Sequence, residues 1–277
     1  MTRQSVTVAL SGDGGDENFG GYRRYYYDRL ENKIRNFIPE PIRRYLIGNI
    51  ARLYPKADWL PQVFRAKTLL TNVSGDPVFG YFNSMSLFRP AMKKKVLCGE
   101  VNGALRDYDS MDVFRGYYDQ CDSDDPLSRT QYIDFKTYLV DDILTKVDRA
   151  SMANSLEVRV PLLDHKFVEL VAQIPSNLKL SGRTSKYIFK KVLSGVLPDE
   201  IMNRQKMGFV IPVGRWLRKE IRETAEETLF NRRSDEKVFF NQKYVKWMWD
   251  QHLSGLRDFT QPLWALLIFQ LWADRFM

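Results

Sequence analysis

Hydrophobic positions along the chain fall mostly at helical spacing, with one short exception near the start. In Ser5-Val6-Thr7-Val8-Ala9-Leu10, the residues Val6, Val8 and Leu10 are apolar over a short run, which predicts a buried strand. From Pro41, the residues Ile42, Tyr45, Leu46, Ile50 and Leu53 recur every three or four positions. Arg43, Arg44, Asn49 and Arg52 lie off that stripe, so the segment predicts an amphipathic helix. Asp125-Pro126 reads as the start of a longer helix carrying Phe135, Tyr138, Leu139, Ile143, Val147 and Ala150. Asp164 predicts the cap of a helix with Phe167, Leu170, Val171 and Ile174, stopped at Pro175. Ser185 predicts the cap of another, through Ile188, Phe189, Val192 and Leu193. Segments from Ile221, from Val245 to His252 and from Pro262 to Phe276 make the last third helical. Loops are expected near Asp76-Pro77 and across Asp122 to Pro126. A single strand is not stable alone. Its partners come from segments the pattern does not reveal, or the chain is a piece of something larger.

Composition adds exclusions. The chain has 277 residues, 44% hydrophobic and 27% charged, as in a folded globular protein. Its formal charge is +8, but residues 106 to 148 hold eleven Asp against five Lys or Arg, leaving +14 on the remainder. An acidic belt of that kind argues against a continuous phosphate-tracking groove, so a nucleic-acid partner is not expected. Two cysteines, Cys98 and Cys121, and two histidines, His165 and His252, exclude a disulfide framework and a zinc site built from them. The longest apolar stretch, Leu263 to Trp272, is about half a membrane span, and the opening residues do not read as a signal peptide. The expectation is a reduced, cytoplasmic, soluble protein with no membrane partner.

The strongest local signal follows the strand. Leu10-Ser11-Gly12-Asp13-Gly14-Gly15-Asp16-Glu17-Asn18-Phe19-Gly20-Gly21-Tyr22 has the layout of strand, tight turn and helix, where open α/β sheets place ligands. Glycines let backbone approach a ligand and leave amides free to donate. Asp13, Asp16 and Glu17 would repel a bare phosphate, and the Lys-Ser or Lys-Thr of a P-loop is missing. Acid in such a turn makes sense if Mg²⁺ bridges it to phosphate, if it binds an amine, or if it acts as a base. The plainer reading is a turn that reverses the chain. Five glycines and three acids within residues 12 to 22 favour function.

Three segments carry a family resemblance. Ser11 to Tyr22 resembles the SGxGxDExFGGY motif in the synthetase domain of glutamine-dependent asparagine synthetases. Asp148 to Asp164 resembles the family's DRxSMxxSxExRxPxLD stretch. Arg204 to Pro212, followed by Trp216, resembles its RxKxGFxxPxxxW segment. The resemblance implies an α/β fold of the ATP-pyrophosphatase, adenine-nucleotide α-hydrolase-like type across residues 1–277, the fragment itself being mostly helical with a short strand. It implies a ligase that adenylates aspartate to β-aspartyl-AMP and then aminates it with ammonia, with ATP as substrate and Mg²⁺ as cofactor. It assigns Asp16 to the metal, and Lys186, Asp13 and Glu17 to catalysis. Ser11, Gly12, Gly14, Gly15, Asp142, Lys146 and Arg149 are assigned to ATP or substrate. The family's SGGxDS pyrophosphate loop and its N-terminal glutaminase domain do not occur in this sequence, and Asn18 stands where the motif is usually apolar. The chain is therefore expected to be the later part of a synthetase domain, inactive alone. The missing glutaminase domain would be its partner in the parent protein, and a homodimer stays open. The acyl substrate also stays open: relatives amidate sugar precursors or close β-lactam rings.

Other constellations have ordinary readings beside functional ones. Asp142, Lys146 and Arg149 share one helix face at i, i+4 and i+7, where a surface ion pair is the bland expectation. Glu157 and Arg159 share a face of an extended segment, and a buried structural pair is expected there. Lys186 opens the helix after Gly182-Arg183-Thr184-Ser185 and resembles the family lysine that stabilises charge during adenylation, at a helix end where a phosphate could sit. Lys190 and Lys191 lie a turn further on. Tyr22, Tyr25, Tyr26 and Tyr27, interleaved with Arg23, Arg24 and Arg29, read as core, with an RNA- or protein-binding surface as the alternative. Trp247, Trp249, Trp264 and Trp272 read as core too.

Overall fold

The computed structural model describes residues 1–54, 66–204, 211–231 and 238–277. The chain divides into two compact units: Met1–Leu46 with Asn72–Phe82 and Ser110–Gln205, and Ile47–Thr71 with Asn83–Asp109 and Lys206–Met277. Among the described residues the structure is mostly helical, with small two-stranded sheets.

In the first unit the opening strand has a partner. β1 (Val8–Leu10) pairs in parallel with β2 (Glu157–Arg159), with Val8 opposite Glu157, Ala9 opposite Val158 and Leu10 opposite Arg159. The Ser11 amide donates to the Arg159 carbonyl at 2.8 Å, extending the ladder into the Gly-rich turn. The expected burial is not observed: Leu10 is 74% exposed and Val8 36%. Thr2–Ser5 is helical, which shortens the strand to three residues, and a two-stranded sheet leaves a whole face uncovered. For the same reason Glu157 and Arg159 are not a buried pair. They meet at 2.8 Å with both side chains more than half exposed.

The core of this unit is unusually polar. The Arg23–Phe37 helix packs on the Pro126–Lys136 helix and buries Tyr25, Asp28, Glu31, Asn32 and Arg35. Asp134, fully buried, accepts from Arg24 at 2.7 Å, Tyr81 at 2.6 Å and Tyr25 at 2.5 Å. Asn72 donates to Glu31 at 2.8 Å, Arg35 donates to Asn32 at 2.7 Å, and Thr130 donates to Asp28 at 2.9 Å. Burial pushes the carboxyl of Asp28 up to about 6 and that of Glu31 up to about 7, against the hydrogen bonds that lower them.

Local chemistry sets several boundaries as expected. Asp125 caps the Pro126–Lys136 helix by accepting from the Ser128 amide at 2.8 Å. Asp164 caps His165–Ala172 through the amides of Lys166 and Phe167. The long helix expected after Pro126 is interrupted at Thr137 (φ −127°, ψ −82°), resumes as a π-helix over Tyr138–Leu144 and becomes α-helical again over Thr145–Met152. The segment after Pro41 is a π-helix, Ile42–Ile47, followed by an α-helix, Gly48–Leu53. Its apolar stripe is exposed, from Ile50 at 45% to Leu53 at 86%, because periodicity specifies a face and not what covers it. β3 (Leu180–Ser181) and β4 (Thr184–Ser185) form a hairpin, so Ser185 is a strand residue and Lys186 takes the position before the Tyr187–Leu193 helix.

The second unit is built on apolar packing. The helices Val213–Arg218, Arg222–Phe230, Gln242–Leu253 and Thr260–Phe276 enclose Leu217, Ala225, Val245, Met248, Trp249 and Leu263, each at most 1% exposed. Trp249 also donates to Glu226 at 2.9 Å. Trp264 packs against this core, but Trp247 and Trp272 are 38% and 48% exposed, so the core expectation fails for those two. No helix among the described residues is long and apolar enough to cross a membrane.

Candidate active site

The Gly-rich turn takes its shape from two glycines in particular. Gly14 sits at φ +79°, in the left-handed region, and opens the short helix Gly15–Phe19; an added Cβ would lie 2.3 Å from a Leu163 methyl. At Gly21 an added Cβ would lie 2.0 Å from Asp16 Oδ1 and 2.5 Å from Lys186 Cε. A side chain there would occupy the space in which those two residues meet.

Lys186 Nζ lies 3.0 Å from Asp16 Oδ1, both side chains less than a third exposed. The backbone fixes this meeting. The Lys186 amide donates to the Phe19 carbonyl at 3.1 Å, and Phe19 stacks on Phe189 with ring centroids 4.6 Å apart. Lys186 itself adopts φ +54°, one of two positive-φ non-glycine residues described, with Ser155. Such geometry is costly for a side chain with a Cβ and concentrates at functional sites. The hairpin before it and the helix after it hold it there.

Asp13 and Ser11 form the outer lip, Ser11 Oγ donating to Asp13 at 2.6 Å, and Gly12 beside them is exposed. Gly15 is buried, its position for a Cβ 3.8 Å from Lys186 Nζ. Glu17 points the other way. It is 1% exposed and accepts from the Tyr22 hydroxyl at 2.7 Å; burial pushes its carboxyl up and the Tyr22 bond only partly offsets this. Asn18 is buried as well, donating to the Leu162 carbonyl at 2.7 Å, so this departure from the apolar pattern ties the turn to the segment after β2. Asp142, Lys146 and Arg149 are exposed and lie on a π-helix that runs into an α-helix, beside β2. Among the described residues the three form no ion pair with one another. Residues 205–210 of the third motif lie outside the described residues.

Sequence reasoning missed the shell that holds the turn. Gln131 donates to the carbonyls of Glu17 and Asn18. Arg24, bonded to Asp134, covers the rings of Tyr22 and Tyr138 at 3.7 and 4.6 Å. Apart from Arg24 and Tyr22, these partners are more than a hundred residues apart in sequence, and no local pattern announces them. The same contacts take Tyr25 and Arg24 away from any stacking surface for RNA.

The chemistry available is a carboxylate and an ammonium in contact, a second carboxylate at the lip, and a glycine backbone that a ligand can approach. Among the described residues no group of three His, Cys, Asp or Glu could hold a metal by itself. Mg²⁺ takes one or two carboxylates and completes its shell with phosphate and water oxygens, and Asp16 fits that lesser demand.

The family model described as asparagine synthase matches residues 1–274. The chain is 32% identical over 98% of its length to asparagine synthetase [glutamine-hydrolyzing] 1 of Bacillus subtilis (strain 168), covering 40% of that protein. It is 35% identical, over 98% of its length and 39% of the relative's, to a putative asparagine synthetase [glutamine-hydrolyzing] of Mycobacterium tuberculosis (strain ATCC 25618 / H37Rv). Amidase chyE of Penicillium rubens is 23% identical over 77% of the chain and 33% of that protein. The chain thus spans about two fifths of the synthetases it matches. No solved structure matches. With the Gly-rich acidic turn, the lysine that meets it and a family match over nearly every residue, the chain belongs to the asparagine synthase family.

Proposed function

We propose that this chain supplies the later half of an ATP-dependent amide-forming site of the adenine-nucleotide α-hydrolase-like type, acting on aspartate. In this reading a carboxylate oxygen of aspartate attacks the α-phosphorus of ATP, and the bond to pyrophosphate breaks. Ammonia then attacks the acyl carbon, and AMP leaves. The observation that carries it is the contact of Lys186 with Asp16, which joins two motifs 170 positions apart at one turn. Lys186 meets the negative charge that builds on the phosphates as pyrophosphate departs. Asp13, partly exposed at the lip, accepts a proton from the attacking amine. Glu17 acts from behind the turn, holding it through Tyr22. Ser11, Gly12, Gly14 and Gly15 face the nucleotide, with Asp142, Lys146 and Arg149 along the approach. Mg²⁺ held by Asp16 would neutralise pyrophosphate charge. The SGGxDS loop and the glutamine-hydrolysing activity named in the relatives belong, in this proposal, to the whole protein, and this chain alone does not catalyse adenylation.

The test is aspartate-dependent exchange of labelled pyrophosphate into ATP, with the chain joined to the N-terminal part of the Bacillus subtilis relative. Lys186→Ala is expected to lose roughly 10²–10³-fold in rate, about 2.7–4 kcal/mol, with ATP affinity and melting temperature little changed. An unchanged rate overturns the role of Lys186, and exchange by the 277-residue chain alone overturns its dependence on the loop. Asp16→Asn is expected to raise the Mg²⁺ concentration needed for half-maximal exchange while leaving the fold intact. Equal Mg²⁺ dependence removes the metal role.

A further inference from the structure

A concavity of about 470 Å³ lies in the first unit, lined by Tyr132, Phe135, Val140, Val168, Gln131 and Lys179 among others. That is within the size range of small-molecule sites, and most of the wall is apolar. None of its lining residues is Asp13, Asp16 or Lys186.

Lys179 sets it apart from an ordinary surface cleft. The residue is only 3% exposed, and among the described residues its ammonium has no hydrogen-bond or ion-pair partner. Burial pushes its amine down, with Asp125 the one charge opposing that. Asp125 is already committed, capping a helix through Ser128 and accepting from Ser176. Keeping an ammonium in a largely buried position with no direct partner and only the nearby charge of Asp125 to offset desolvation is costly, and an anion in the adjoining cleft offsets that cost. At the rim, Asp122 and Lys136 are both exposed and oppose each other's charge, leaving Lys179 to set the preference inside.

We infer that this cleft binds a small monocarboxylate with an apolar body, the carboxylate on Lys179 Nζ and the body against Tyr132, Phe135 and Val168. Phosphate esters fit less well, because one ammonium in an apolar wall satisfies a single carboxylate better than a doubly charged group. The site adjoins the Gly-rich turn directly, since Asn18 lines the cleft, as does Gln131, which donates to the carbonyls of Glu17 and Asn18. An occupant is thus placed to stiffen the segment that carries Asp16. This inference does not depend on the ligase reading.

The probe is phenylacetate, with 2-phenylethanol as its uncharged counterpart, titrated calorimetrically into the full chain. Phenylacetate is expected to bind at least about tenfold more tightly than 2-phenylethanol, the scale of one charge-assisted hydrogen bond. Lys179→Met keeps an apolar stem of similar length and is expected to erase that preference. Ala172→Trp, at an exposed position on the cleft wall, is expected to abolish binding of both compounds without touching Lys179. Circular dichroism melts establish that each variant folds, and Ala172→Trp decides the matter if Lys179→Met does not. No binding of phenylacetate at millimolar concentration, no preference for it over the alcohol, or binding that Ala172→Trp leaves intact overturns the proposal.

Discussion

Around the Arg23–Phe37 helix the first unit buries Asp28, Glu31, Arg35 and Asp134, whereas the second closes over Leu217, Met248, Trp249 and Leu263. The second core is held by apolar contact, which is non-directional and tolerates many arrangements of similar volume. The first buries apolar side chains such as Ile133 and Leu139 too, but adds a network of directional hydrogen bonds among buried charged and polar groups. Asp134 collects Tyr25, Tyr81 and Arg24, and Arg24 in turn covers Tyr22, whose hydroxyl holds Glu17. A polar core of this kind fixes register as well as compactness. The turn it fixes is the one that carries Asp13 and Asp16. The difference is that the buried charges of the first unit are tied through Arg24 and Tyr22 to the Gly-rich turn, whereas the second unit's interior is mainly apolar.

The sharpest way to break that contrast is to cut one member from each core. Asp134→Ala leaves a partly buried guanidinium and two phenol hydroxyls without their acceptor and is expected to cost about 3–5 kcal/mol. Trp249→Ala, a cavity in an apolar core, is expected to cost a similar ~3–5 kcal/mol. The two differ in where the loss is read. The described tryptophans, at 216, 247, 249, 264 and 272, all belong to the second unit. Urea unfolding followed by tryptophan fluorescence should therefore shift for Trp249→Ala, and near-ultraviolet tyrosine dichroism should shift for Asp134→Ala. Equal shifts of both signals by either variant would mean that the units unfold as one and the contrast has no energetic meaning.

A smaller effect concerns pH. Burial raises the carboxyls of Asp28 to about 6 and Glu31 to about 7, above their ordinary 3.8 and 4.5, so the folded state binds their protons more tightly. Their contribution to stability is then fullest below the unfolded values and falls as pH rises through about 4 to 7. Glu31→Gln is expected to flatten the fall of first-unit stability between pH 5 and 7, measured by urea midpoints followed by tyrosine dichroism. A slope unchanged by the substitution would show that Glu31 stays ionised in the fold. The smallest effect is expected at the surface. Glu157→Gln breaks an exposed pair and should leave the melting temperature nearly unchanged. A larger loss would mean that Glu157 and Arg159 are covered in solution.

The turn was legible from local composition, because five glycines and three acids leave few conformations and few uses. The caps at Asp125 and Asp164 were legible for the same reason: a short polar side chain before a helix satisfies amides within three residues. What failed were expectations that needed to know a neighbour. Val8, Leu10 and the stripe from Ile42 to Leu53 are apolar, and their spacing predicted elements that do form, but not what would cover them. The break at Thr137 arises inside an unbroken apolar period, where nothing in the pattern marks the change to a π-helix.

The sequence by itself determined a helical chain with one strand feeding a glycine-rich acidic turn, and its motifs pointed to a nucleotide-dependent ligase. These are properties of short stretches, governed by backbone freedom, periodicity and the charges of adjacent residues. Only the tertiary structure decided that Lys186 meets Asp16, that Glu17 turns inward to Tyr22, and that Lys179 is buried beside a cleft with no hydrogen-bond or ion-pair partner among the described residues. Those outcomes depend on which distant segments come to share a low-dielectric interior. There a charge must find its partner or go without, and adjacency in sequence does not say which.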